Sequence, residues 1–315
     1  MIYTVTFNPA LDYILNVQTL SSNDIIRAEK EELNVGGKGI NVSVILSRLG
    51  IENSALGFLA GFSGKQIEHM LKEEKIATDF VYIKTGYSRI NVKIKTEKEI
   101  DINASGPEIS AEDVDLLFSK LENIKSGDYL VLAGSVPNSL PDDIYERIMK
   151  NFCEKNIHFV VDAEKDLLKN VLKYKPFLIK PNHHELGEIF SAEINTTEDV
   201  IYYAKQLQEM GAKNVLVSRA KDGATLVDEN GNVFSVGNVP GKIVSSVGCG
   251  DSMVAGFLAG YIQSHDYAEA LELGAACGNA TAFSSSLAAK NEIDHMLLSQ
   301  YIKAVKESGN NHENN

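Results

Sequence analysis

The stretch YLVLAGSVPNSLPDDIYERIMKNFCEKNIHFVVD, Tyr129 to Asp162, decides the fold class. Tyr129 to Ala133 is a continuous apolar run entering GSVP, Pro141 to Glu154 reads as a helix, and Phe159 to Val161 is a second apolar run ending on Asp162. Strands without polar alternation, joined by a helix, are buried on both faces, which is the pattern of a parallel sheet. The pattern continues downstream. Phe177 to Ile179 leads to Lys180, Asn182 and Glu185; a helix from about Thr197 to Met210 stops at Gly211; and Val215 to Val217 leads to Ser218 and Gly223. Ligands of such sheets bind beyond the carboxyl ends of the strands, where these polar groups fall.

Upstream, Ile2 to Phe7 is a strand stopped by Asn8-Pro9, with Asp12 just beyond it. Tyr13 to Val17 and Ile26 to Leu33 read as extended, the latter carrying Arg27. SRINVKIKTEKEIDIN, Ser88 to Asn103, places Ile90, Val92 and Ile94 on one side and Arg89, Asn91, Lys93 and Lys95 on the other. That alternation predicts a half-buried antiparallel hairpin with one wet face. The early strands, about 12–34 and 87–104, are read as a lid on one α/β domain spanning 1–308, with a disordered tail at 309–315. Downstream, Ala224 to Val227 and Val233 to Val236 form an edge hairpin, and helices at Tyr267 to Ser284 and about Asp294 to Lys306 close the domain.

Composition narrows the functions. The chain has 315 residues, 44% hydrophobic and 23% charged, with 43 acidic against 30 basic residues and a net charge of −13. Such a charge repels nucleic acid and anionic membranes, so a small-molecule partner is expected. Cys153, Cys249 and Cys277 form no CxxC pair, and the N-terminus carries no signal-peptide pattern, so a cytoplasmic protein is expected. The apolar run Met253 to Ile262 is well short of the roughly 20 residues that span a bilayer. Its Gly256 and Gly260 suit close approach of another element.

The chemistry centres on VGCGDS, Val247 to Ser252, which follows a short extended run at Lys242 to Ser246 and opens a helix from Asp251. Glycines at a helix N-terminus expose unpaired N–H groups, and with the helix dipole they favour an anion. Asp251 there either caps the helix or takes a proton from a nucleophile attacking that anion. Gly36 to Gly39, GGKG, allows close backbone approach at another helix start but lacks the P-loop spacing GxxxxGK[ST]. Arg27, Lys38 and Arg89, in or beside the lid, suit a phosphorylated substrate. Adjacent His183 and His184 are expected to diverge rather than share a metal. Asn182 and Glu185 offer hard oxygens for Mg²⁺ or its waters, although Glu185 equally suits a first-turn dipole partner. Together these features suggest phosphoryl transfer to a hydroxyl.

GGKGINV and VGCGDSMVAGFLAG resemble the two signatures of the PfkB, or ribokinase-like, sugar kinases, and TFNPALDY, AGSVP, KPNHHE and VSRAKDGA follow in that family's order. NPALDY, SRINVK, SGPEIS and IKPNHHEL are most similar to its bacterial 1-phosphofructokinase branch, with the tagatose-6-phosphate kinases next. The resemblance implies a three-layer ribokinase-like core with a β-sheet lid, ATP as donor, Mg²⁺ as cofactor and fructose 1-phosphate as acceptor at its 6-hydroxyl. Tagatose 6-phosphate or fructose 6-phosphate would be the alternative acceptors, and a non-catalytic sugar-phosphate sensor the remaining one. It assigns Asp251 as general base and Gly248, Cys249 and Gly250 as the anion hole. It places Asp12, Gly37, Lys38 and Asn41 on sugar hydroxyls, and Arg89 with Arg27 on the existing phosphate. Lys180, Asn182, Glu185, Ser218 and Gly223 would line the nucleotide side, with Asn279 near the base. Cys249 stands where the family has Ala; a thiol at a helix N-terminus is either a reactive thiolate or a small buried filler. The lid's apolar face is expected to pair with a second subunit.

Overall fold

The computed structural model describes residues 1–20, 25–96, 99–163 and 165–310. Its strands are β1 (Ile2–Thr6), β2 (Ala10–Asn16), β3 (Lys30–Gly36), β4 (Asn53–Ala60), β5 (Ala77–Thr78), β6 (Val81–Ile83) and β7 (Arg89–Lys95). They continue with β8 (Glu99–Ile102), β9 (Tyr129–Ala133), β10 (His158–Asp162), β11 (Leu178–Ile179), β12 (Asn214–Ser218), β13 (Ala224–Val227) and β14 (Val233–Val236). Its helices are α1 (Lys38–Arg48), α2 (Gly61–Glu73), α3 (Ala111–Leu121), α4 (Ile144–Phe152) and α5 (Lys165–Val171). The remaining helices are α6 (His183–Phe190), α7 (Thr197–Glu209), α8 (Cys249–Ser264), α9 (Tyr267–Ala282) and α10 (Lys290–Asn310).

The main sheet runs β14-β13-β12-β11-β10-β9-β1-β4-β5, with β6 also on β4. All pairings from β12 to β5 are parallel, and the β13–β14 hairpin adds an antiparallel edge. Side chains leave the sheet alternately. Leu130, Leu132, Val161, Ile179, Val215 and Val217 pack one way with Leu117, Ile148, Leu168, Leu186 and Val200 of α3 to α7. Val131, Val160, Leu178 and Leu216 pack the other way with Val42, Ile45, Val254, Leu258 and Ile293 of α1, α8 and α10. A sheet buried on both faces needs the unbroken apolar runs seen in the sequence, and the result is the expected three-layer core. Thr4, at 0% exposure inside β1, meets the Ser43 hydroxyl of α1 at 2.7 Å, so the central strand's buried polar group is satisfied.

Local signals place the helix ends. Ser110 with Asp113, Asn182 with Glu185, and Thr196 with Asp199 are reciprocal capping boxes that start α3, α6 and α7. Gly256 and Gly260 of α8 do let α9 approach: a Cβ on Gly256 would lie 2.6 Å from the Leu273 carbonyl oxygen, and one on Gly260 2.8 Å from the Ala270 Cα.

The lid is a separate sheet ordered β3-β2-β7-β8. Its β2–β3 and β7–β8 pairs are antiparallel, and β2 and β7 join them side by side in parallel. The turn at 97–98 falls outside the described residues. Register puts Leu11, Tyr13, Leu33, Val35, Ile90, Val92, Ile94, Ile100 and Ile102 on one face and Asp12, Asn34, Arg89, Asn91, Lys93 and Asp101 on the other. The polar face is the one over the main sheet, where Asp12, Asn91 and Lys93 are buried; Leu33, Ile100 and Ile102 on the apolar face are exposed.

Several expectations need correction. β2 starts at Ala10, earlier than the extended run expected from Tyr13, so Asp12 lies inside it. β3 starts at Lys30, so Arg27 precedes it and is exposed. Residues 242–246 form no strand; Val244 N–H and Ser245 N–H instead donate to the Ala282 carbonyl at the end of α9, at 2.8 and 3.2 Å. α10 runs to Asn310, into the segment read as tail, and 311–315 lie outside the described residues. Among the described residues no helix is long and apolar enough to cross a membrane.

Candidate active site

A cavity of about 690 Å³ opens between the lid's polar face and the carboxyl ends of the parallel strands. Asp251, Gly248, Cys249, Gly250, Asp12, Gly37, Lys38, Asn41, Arg89, Lys180, Asn182, Glu185, Ser218, Gly223 and Asn279 all line it. Of the residues singled out from sequence, Arg27 alone does not, since it sits on the exposed approach to β3.

The glycines read as an anion site lie where the chain turns into α8. Gly248 is the N-cap residue with φ 80°, in the left-handed region that favours glycine. Its Cα also abuts Leu287, since a Cβ there would lie 2.6 Å from Leu287 Cδ2. Gly250 leaves room for Lys180, whose Nζ would be 3.0 Å from a Cβ at that position. The first-turn N–H groups of α8 are thereby presented to the cavity, with a lysine ammonium beside them.

Asp251 follows in the first turn at 5% exposure, and its Oδ2 accepts a 2.7 Å hydrogen bond from Asn41 Nδ2 of α1. Burial pushes its pKa up to about 6, and repulsion from Asp162 adds to this; the Asn41 hydrogen bond, Lys38 and Lys180 oppose it. A carboxylate with that value is ionised at neutral pH yet basic enough to accept a proton. The bond from Asn41 links the GGKG helix to the VGCGDS helix across 210 positions of sequence.

Asp162, at the end of β10 and 2% exposed, is one of the strand-end polar residues, and the sequence gives it no particular role. Lys38 Nζ lies 3.3 Å from its Oδ1, and Lys180 Nζ lies 3.6 Å from its Oδ2. Burial pulls the Lys38 pKa down, but Asp162, Asp251 and Glu185 outweigh it and hold the ammonium above its ordinary value. Asp162's position at a strand end was the available signal. Asn91, Lys93 and Asn103 were likewise unassigned although they line the cavity, and the first two share the lid alternation with Arg89. Arg89 donates from Nε to the Asn8 carbonyl at 3.0 Å, and among the described residues its guanidinium makes no ion pair. Burial pulls its pKa below the ordinary arginine value, with Asp12 opposing.

Two further readings change. His183 and His184 do not diverge: their rings lie together on the cavity wall, centroids 3.9 Å apart and tilted by 38°. The surroundings of the half-buried Cys249 thiol disfavour a thiolate. Burial, reinforced by Asp251, lifts its pKa to about 11 and outweighs the favourable backbone, and Sγ donates to the Ser245 carbonyl at 3.5 Å.

For Mg²⁺ the donor set is hard oxygen. Glu185 is a first-turn partner, its Oε2 accepting from Asn182 N–H at 2.7 Å, and among the described residues Oε1 has no protein donor. Asn182 Oδ1 accepts from Glu185 N–H at 2.9 Å and keeps one lone pair. Among the described residues no three His, Cys, Asp or Glu side chains form a cluster that could hold an ion. Glu185 and Asn182 therefore fit Mg²⁺ through its water shell, which that ion retains readily.

A parallel α/β core with a polar lid, a glycine-rich helix start and a buried carboxylate beside it is an architecture suited to phosphoryl transfer to a hydroxyl. A family model described as pfkB family carbohydrate kinase matches residues 5–294, and the chain belongs to that family. It is 45% identical over 298 residues to the 1-phosphofructokinase of Bacillus subtilis (strain 168), covering 94% of this chain and 97% of that one. It is 38% identical over 295 residues to the D-tagatose-1-phosphate kinase of Bacillus licheniformis, covering 93% and 96%. Among solved structures, phosphofructokinase-2 from Escherichia coli in complex with substrates and products is similar with a TM-score of 0.89 and 26% identity, covering 95% of this chain and 99% of that one.

Proposed function

We propose that this chain transfers the terminal phosphate of ATP to the 6-hydroxyl of fructose 1-phosphate, giving fructose 1,6-bisphosphate and ADP. The observation that carries this reading is the buried Asp251 between the α8 anion site and a polar cavity whose lid end presents Arg89. In the proposed reaction the 6-hydroxyl passes its proton to Asp251 as its oxygen attacks the terminal phosphorus, and the bond to the bridging oxygen of ADP breaks. Asn41 holds the carboxylate toward the hydroxyl. The α8 N–H groups and Lys180 face the charge that spreads over the transferring group. Bound through water to Glu185 and Asn182, Mg²⁺ would supply further neutralisation of the ATP phosphates. Lys180, Ser218, Gly223 and Asn279 line the nucleotide side, and Asp12, Gly37, Lys38 and Asn41 the sugar side. With ATP as donor, the proposed place of action is the cytoplasm. The exposed apolar lid face, with Leu33, Ile100 and Ile102, is proposed to pair with a second copy.

Coupled ADP release tests the reaction, using fructose 1-phosphate, tagatose 1-phosphate, tagatose 6-phosphate and fructose 6-phosphate with wild type and Asp251→Asn. Turnover should be highest with fructose 1-phosphate, and kcat of the variant should drop by roughly 10²–10⁴-fold, as expected for loss of a general base. Comparable turnover by Asp251→Asn overturns the base assignment, and a clear preference for another sugar phosphate overturns the acceptor.

A further inference from the structure

The lid end of the cavity holds a carboxylate where a sugar phosphate is to bind. Asp12 projects from β2 into the cavity, and both of its oxygens are engaged: Oδ1 by Asn91 Nδ2 at 2.8 Å and Oδ2 by Lys93 Nζ at 3.1 Å. All three residues are at most 9% exposed. Gly36 of β3 presses on the same carboxylate, since a Cβ there would lie 2.9 Å from Asp12 Oδ2. Asp101 faces Lys93 across the β7–β8 pair but is exposed and lines no part of the cavity, so Lys93 spends its charge on Asp12. Lysine is rarely this buried without a partner.

We infer that Lys93 is a positioning residue for substrate binding: by cancelling the charge of Asp12, it lets that carboxylate accept sugar hydroxyls without repelling the phosphate the sugar already carries. The charge count at this end supports it. Arg89 and Lys93 stand against Asp12, a surplus of one positive charge, whereas without Lys93 the balance is zero. The rest of the cavity sets Asp162, Asp251 and Glu185 against Lys38 and Lys180, and the whole chain carries −13, so among the described residues no other cation of the cavity offsets Asp12 at this end. Each Asp12 oxygen has more than one lone pair, so the bonds from Asn91 and Lys93 orient the carboxylate without closing it to substrate hydroxyls. In a partly desolvated site an uncancelled carboxylate a few ångströms from a phosphate dianion is strongly repulsive.

The inference rests on the proposed reading that the acceptor is a sugar phosphate, which wild-type turnover tests separately. The cycle below is run with whichever of the four sugar phosphates the wild type turns over, so a mistaken acceptor fails that reading alone. Steady-state kinetics and thermal unfolding are measured for wild type, Lys93→Met, Asp12→Asn and the double variant, with Lys93→Arg alongside. Lys93→Met should raise KM for the sugar phosphate by roughly tenfold or more when Asp12 is intact and change it little when introduced into Asp12→Asn, with KM for ATP unaffected. Lys93→Arg, which keeps the charge, should restore most of the affinity. An equal loss in both backgrounds would mean that Lys93 binds the phosphate directly and would overturn the inference. A fall in Tm and kcat with unchanged sugar-phosphate KM would overturn it in favour of a purely structural lysine.

Discussion

Replacing Asn41 by leucine removes the side-chain amide that donates to the Asp251 carboxylate, while keeping similar volume and excluding water. Asp251 sits near pKa 6 because burial and Asp162 push it up while the Asn41 bond and two lysines hold it down. Losing a hydrogen bond to a charged group costs about 1.5–3 kcal/mol, and one pKa step is about 1.4 kcal/mol, so the pKa should rise to about 7–8. The base works ionised, so activity is present above the pKa and lost below it. At pH 7 the ionised fraction should therefore fall from about nine-tenths to between about one-half and one-tenth, and kcat/KM should drop roughly two- to tenfold from ionisation alone. At pH 9 that part of the loss vanishes, leaving only the loss of the proposed Asn41–sugar contact. The assay is coupled ADP release from pH 5 to 9.5 with wild type and variant on the same substrate, so that titration of the substrate phosphate cancels in the comparison. An acid limb at the same pH in both proteins, with only the plateau lowered, would refute the view that Asn41 tunes Asp251.

Other consequences are equally direct. Gly248→Ala forces a side chain into a left-handed conformation against Leu287, at about 1–2 kcal/mol in strain, so denaturant unfolding should show reduced stability and ADP release a reduced kcat; an unchanged enzyme would refute the packing argument. With its thiol pushed up to about pKa 11, half-buried Cys249 should react with iodoacetamide at pH 7.5 more slowly than exposed Cys153, as read by peptide mass; faster labelling of Cys249 would contradict the raised pKa. Ile100→Glu with Ile102→Glu should convert an oligomer into monomers in sedimentation experiments, and a wild type monomeric at all concentrations would refute lid pairing.

The sequence alone determined the parallel core, because strands buried on both faces must be uninterrupted apolar runs and Tyr129 to Asp162 displays two of them around a helix. It also placed Asn182 and Glu185 at the start of α6 and began α7 at about Thr197, because capping residues interact within three positions. The close approach of α9 to α8 was legible from Gly256 and Gly260 for the same local reason. Tertiary structure decided the rest, since it depends on partners distant in sequence. Alternation divides the lid into two faces, but only packing over the strand ends makes the polar face the buried one and so gives Asn91 and Lys93 a place beside Asp12. Asp162 gains importance only when β10 brings it to Lys38 and Lys180, and the Asp251 carboxylate gains its hydrogen-bond donor only when α1 supplies Asn41. Cys249 shows the contest most plainly: the local helix start favours a thiolate, and burial beside Asp251 overrides it, because desolvating a charge costs more than one helix terminus returns.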